Sequence, residues 1–89
     1  MSLRLTFQQR QVLGVLCAEY VTPRAVAGAL QERGFMTTAA SVYNTLLRLS
    51  AMRLVRTTCQ RSEMAAGRRE VLAFRLTAPG ELAAESLFD

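Results

Sequence analysis

Apolar residues recur along the chain in two rhythms, and the change from one to the other divides it. In the first part the rhythm is helical. Val12, Leu13, Leu16, Cys17 and Tyr20 fall on one side at helical spacing, after an N-cap at Thr6 whose capping-box partner is Gln9. On that side Cys17 is expected to be a small core residue beside Leu13 and Leu16. A second helix begins at Thr22-Pro23, a cap followed by proline at the first helical position. It turns Val26, Ala27 and Leu30 inward and stops at Arg33-Gly34, where glycine takes a left-handed conformation. Phe35, Met36 and Thr37 form a short link, with Phe35 plugging the space between the second and third helices. With Thr37 or Thr38 as cap, the third helix is predicted over about 39–52, with Val42, Leu46 and Leu49 inside.

Beyond Met52 the period falls to two. Leu54–Gln60 and Glu70–Leu76 predict strands; in the second, Leu72, Phe74 and Leu76 alternate with Val71, Ala73 and Arg75, which suits one buried face. The polar stretch Arg61–Arg69, with Gly67, joins them as a long hairpin connection with basic ends. Thr77 then caps a last short helix containing Leu82, Ala83 and Leu87, able to cover the sheet or face a partner.

The order α-α-α-β-β-α, mainly α with a small β-hairpin, is that of a winged helix-turn-helix. The brief turn after Gly34 obliges the second and third helices to pack as one unit. One domain is expected over 1–89: helix-turn-helix about 22–53, wing about 54–76, C-terminal helix about 77–88. At about 100° per residue, the outward side of the third helix carries Ala40, Ser41, Asn44, Arg48 and Ala51. Small residues allow close approach to a major groove, and Asn and Arg are the side chains that bond base edges bidentately. Ser41, near the helix start at Thr38, suits a phosphate or a base edge, aided by the helix dipole. The plain alternative for Asn44 and Arg48 is a solvated helix surface; their place on the third helix of this unit favours double-stranded DNA. Arg61, Arg68 and Arg69 flank the wing, for phosphate or minor-groove contact or simply as a soluble hairpin tip.

Charge sharpens that expectation. The net charge is +4, and all eleven basic residues are arginine. Arginine and alanine without lysine are what a GC-rich bacterial or phage genome produces, so the bias need not be functional. The distribution matters more: Arg48, Arg53, Arg56, Arg61, Arg68, Arg69 and Arg75 lie in the second half, interrupted by Glu63 and Glu70, a block attracted to a polyanion. With 51% hydrophobic residues a disordered chain is not expected. No run approaches the roughly 18 apolar residues of a membrane span. The start MSLRLTFQQRQ lacks the apolar core of a secretion signal, so a cytoplasmic protein is expected. A chain of 89 residues needs efficient packing or a partner. Cys17 and Cys59 are far apart and histidine is absent, so no metal site, redox pair or cofactor is expected. Nor is an enzyme: there is no glycine-rich phosphate loop, and Glu81 and Glu85 read as helix-surface carboxylates.

The segment Ala40-Ser41-Val42-Tyr43-Asn44-Thr45-Leu46-Leu47-Arg48-Leu49, then Leu54-Val55, resembles the recognition-helix region of the ferric-uptake-regulator and PadR-type families. In those, a helix with a central tyrosine and spaced leucines runs into a Gly-Leu-Val strand start. Phe74-Arg75-Leu76-Thr77-Ala78-Pro79-Gly80 resembles the end of a wing and the aromatic–Arg-Leu-Thr-x-x-Gly helix start of PadR and MarR-type proteins. The resemblance implies a DNA-binding transcriptional regulator, a repressor acting as a homodimer on an inverted repeat. Tyr43, at the margin of the buried side, then hydrogen-bonds a phosphate, as the resemblance suggests, or packs its ring. Three departures stand out. Without histidine, the metal regulation of the ferric-uptake type is not carried over. The PadR type has a further C-terminal dimerisation segment, and the match stops short of it. Arg53 replaces the glycine before Leu-Val: if the position is left-handed it costs roughly 1 kcal/mol, so either the turn differs or the arginine is retained for a contact. Leu82, Leu87 and Phe88 are core or a dimer contact. The alternative partner is protein: a small phage-encoded winged helix inhibiting a host complex, with Leu47 and Ala51 beside Asn44 fitting a protein groove.

Overall fold

Threonine starts every helix described. A computed structural model describes residues 4–62 and 69–87, with side chains placed over 4–60 and 71–87. Helices α1 (Phe7–Val15), α2 (Pro23–Glu32), α3 (Ala39–Ala51) and α4 (Ala78–Ser86) follow Thr6, Thr22, Thr38 and Thr77. Each hydroxyl oxygen accepts the backbone N–H three residues on, at 3.1 to 3.2 Å, satisfying one of the donors a helix start leaves unpaired. At α1 the reciprocal bond also forms, from the Thr6 N–H to the Gln9 side-chain oxygen.

Between α3 and α4 run β1 (Val55–Ser62) and β2 (Arg69–Leu76), antiparallel in the register Val55↔Leu76 to Ser62↔Arg69. Both strands extend further than the alternation predicted: Arg61, Ser62 and Arg69 belong to the ladder, not to the connecting loop. On its other edge β2 meets the segment after α1, where Val21 and Phe74 exchange two backbone hydrogen bonds of 2.8 Å.

That pairing corrects the expected run of the first helix. α1 ends at Val15, Leu16 turns extended, and the Leu76 N–H donates to the Cys17 carbonyl at 2.9 Å. Cys17 is therefore an exposed free thiol outside the helix, not a core residue. The apolar spacing persists beyond Val15, but the backbone groups there find partners on β2 instead of in a further helical turn. Ala73 is also fully buried, so β2 does not have the single buried face its alternation suggested.

The core is built from Val12 and Leu13 of α1, Val26 and Leu30 of α2, Val42, Leu46 and Leu49 of α3, with Leu54, Val55, Phe74 and Leu76 closing it from the sheet side. Phe35 is half-buried against this core and lies edge-on to Phe7 of α1 at 6.1 Å, so it reaches beyond the space between α2 and α3. Leu87 packs on the core, Leu82 is 67% exposed, and Phe88 lies outside the described residues. No helix among the described residues is long and apolar enough to cross a membrane.

α2 and α3 end alike. After α2, the Gly34 N–H bonds to the Gln31 carbonyl and the Phe35 N–H to that of Leu30; after α3, Arg53 bonds to Ser50 and Leu54 to Leu49 in the same way. These are Schellman motifs, which need a left-handed residue. Gly34 has φ 89° and Arg53 φ 62°. The turn at Arg53 is thus the one a glycine would make, and the arginine is held there against its backbone preference. Arg53→Gly should raise stability by about 1 kcal/mol, read as a higher urea midpoint at unchanged slope. An unchanged or lower midpoint would mean that the side chain contributes packing which outweighs the strain.

A second tight place lies just beyond. The Thr77 hydroxyl donates to the Arg53 carbonyl at 2.7 Å, and the Thr77 N–H to the Leu54 carbonyl at 3.1 Å. Three residues later, a Cβ on Gly80 would stand 1.8 Å from the Leu54 carbonyl oxygen. The start of α4 is pressed directly onto the junction between α3 and β1.

Candidate nucleic-acid interface

The exposed side of α3 follows from its buried one. Val42, Leu46 and Leu49 are fully enclosed, which leaves Ala40, Asn44, Arg48 and Ala51 facing out, together with Leu47, 41% exposed. Asn44 and Arg48 stand one turn apart on this side, as their spacing predicts, and small residues flank them. The helix that carries this face is capped by Thr38 at one end and closed by the Arg53 turn at the other.

Thr38 uses its hydroxyl oxygen to accept the Ser41 N–H at 3.1 Å. Ser41 is half-buried, because α1 approaches it: the Gln8 side-chain nitrogen donates to Ser41 Oγ. The two helices bound an open groove of about 580 Å³, lined by Thr6, Phe7, Gln8 and Gln9 from α1 and by Ser41, Asn44, Thr45 and Arg48 from α3. Thr45 is buried and donates to the Ser41 carbonyl at 3.1 Å. Gln8 belongs to this surface although nothing in its local sequence marks it, since its contact spans 33 residues.

Tyr43 is half-buried, its ring edge-on to Phe74 at 6.2 Å. It borders a shallow apolar groove between the start of α2, at Thr22, Pro23 and Arg24, and Val71 and Leu72 of β2. Tyr43 is therefore on a different side of α3 from Gln8.

Basic residues continue from α3 into the hairpin. Arg53 and Arg56 are exposed. The register sets Arg56 directly opposite Arg75, a like-charge pairing that disfavours the strand contact. Arg75 is held over the Tyr20 ring, its guanidinium carbon 5.2 Å from the centroid, a cation–π contact worth roughly 0.5–1 kcal/mol when exposed. The ladder also pairs Arg61 with Glu70 and Ser62 with Arg69. The side chains of Arg61 and Arg69, and Arg68 altogether, lie outside the described residues. Among the described residues no group of three or more His, Cys, Asp or Glu side chains is placed to hold a metal ion, and Cys17 and Cys59 are both free and exposed.

No protein-family model and no curated protein matches the chain. Solved structures do. A PadR family transcription regulator from hypervirulent Clostridium difficile superposes with a TM-score of 0.74 at 17% identity, over 91% of this chain and 82% of that one. A PadR-like transcriptional regulator from Bacillus cereus gives 0.73 at 21% identity, over 90% and 76%. Bacillus subtilis PadR, solved in complex with operator DNA, gives 0.74 at 14% identity, over 96% of this chain and 48% of its own. At least nine tenths of this chain superposes on each of them: the chain has the winged helix-turn-helix fold seen in PadR-type transcription regulators.

Proposed function

We propose that this chain is a sequence-specific double-stranded DNA-binding transcriptional regulator, a repressor that acts as a homodimer on an inverted repeat. The observation that carries this reading is the exposed side of α3, where Asn44 and Arg48 rise from small residues on a helix fixed at both ends. In the major groove Asn44 and Arg48 meet base edges, and Ser41 a base edge or a phosphate. Thr38 lies at the entry of the same helix. Tyr43 uses its ring in packing and turns its hydroxyl to a phosphate. Arg61, Arg68 and Arg69 of the wing hold the backbone. The likeness to a PadR solved on its operator supports the partner, and exposed Leu82 on α4 offers apolar surface to a second copy.

Binding to selected and random duplexes, followed by fluorescence anisotropy across a salt series, tests the proposal. If about four phosphates are neutralised per monomer, log K falls with log salt at a slope near −3.6 per monomer. Selected duplexes should also bind more tightly than random ones. No binding even at about 50 mM salt, where counterion release favours the complex, overturns the reading.

A second reading keeps the fold and exchanges the partner: a phage-encoded protein that inhibits a host complex. Leu47, 41% exposed beside Asn44, favours it. A chain that leaves DNA unbound and captures one host protein stoichiometrically would support this second reading.

A further inference from the structure

We propose that Gln8 of α1 is a positioning residue for DNA recognition, holding the Ser41 hydroxyl so that it donates to an acceptor on the duplex. The inference rests on the DNA-binding reading above.

Gln8 occupies the second position of α1, in a first turn held by the reciprocal Thr6–Gln9 bonds. Its side-chain nitrogen donates to Ser41 Oγ. A serine oxygen that has accepted still carries its own proton. Ser41 stands in the first turn of α3, three residues after the Thr38 cap, where no helical carbonyl lies four residues back to take that proton. Ser41, Gln8, Asn44 and Arg48 all line the same open groove, and with one acceptor site filled from the α1 side the hydroxyl is left to donate into it.

Two consequences follow from chemistry alone. A hydroxyl that accepts from an amide becomes a stronger donor, because hydrogen bonds in a chain polarise one another. And a side chain already held in its bound orientation loses less freedom on binding. Ser41 is therefore matched to an acceptor: guanine N7 or O6, thymine O4, or a phosphate oxygen.

The test is a double-mutant cycle in the full chain, with dissociation constants measured on a selected duplex and on its single-base variants. Gln8→Ala and Ser41→Ala should each weaken binding about tenfold, the scale of one hydrogen bond, and the double variant should be no weaker than either single one. Loss confined to one base pair identifies a base-edge acceptor; loss spread evenly over all variants identifies a phosphate. Gln8 is exposed, and its alanine variant should melt like the wild type, so lost binding would not report unfolding. Losses that multiply in the double variant would overturn the proposal. So would wild-type affinity in either single variant. Failure of the DNA reading itself looks different: the wild type then binds no duplex at all.

Discussion

Gly80→Ala should destabilise the fold by about 3 kcal/mol, near the upper end for forcing a methyl into filled space. Two effects oppose each other at this position. Alanine is the better helix former by about 1 kcal/mol, and Gly80 sits inside the first turn of α4. But its new Cβ would lie 1.8 Å from a backbone oxygen and 2.9 Å from the carbonyl carbon of Leu54. No side-chain rotation relieves a clash with main chain, so α4 must withdraw, stretching the Thr77 bonds to Arg53 and Leu54. Steric exclusion wins by a wide margin. Urea denaturation should show a lower midpoint, and Tm should fall by roughly 12–24 °C for a domain this small. Gly28→Ala is the matched control: nothing stands within 4 Å of its added Cβ, it lies inside α2, and it should stabilise by up to about 1 kcal/mol. A Gly80→Ala variant as stable as Gly28→Ala would show that α4 is free to shift.

Asn44→Ala should weaken binding to a selected duplex by about 2 kcal/mol, roughly thirtyfold, and relax the preference at one base pair. Asn44 is exposed on α3, so its truncation opens no cavity and should leave the melting temperature unchanged. The residue is neutral, so the salt slope should also stay as in the wild type. Affinity falls, stability and slope do not: that combination separates base reading from general electrostatic attraction. Competition binding against single-base variants measures it. An unchanged order of preference among those variants would remove Asn44 from the reading set.

Local chemistry made much of this fold legible. Thr6, Thr22, Thr38 and Thr77 announce helix starts because a cap acts over three residues, and all four form as written. Gly34 marks its Schellman turn for the same reason. The exposed side of α3 was readable from period alone, since one enclosed stripe dictates the opposite one. What failed was decided at a distance. Cys17 continues an apolar rhythm, yet its carbonyl is claimed by Leu76, 59 positions along the chain, and the helix stops short. Gln8 carries no mark of its contact with Ser41. Gly80 could be recognised as part of a motif, but the main-chain oxygen that requires it belongs to Leu54. Arg53 is an intermediate case: its left-handed backbone could be suspected from the glycine it replaces, and only the φ of 62° decides between a changed turn and a strained one.

The joint at Thr77 has a mechanical consequence. Its hydroxyl and its N–H grip Arg53 and Leu54, and Gly80 leaves no slack between α4 and the same carbonyl. The start of α4 is thereby tied to the residues that leave α3, so a displacement of α4 would strain that turn. A second chain leaning on Leu82 would push on a lever whose short arm ends at α3. Spacing between two such copies and the tilt of α3 in each would then be set as a single adjustment.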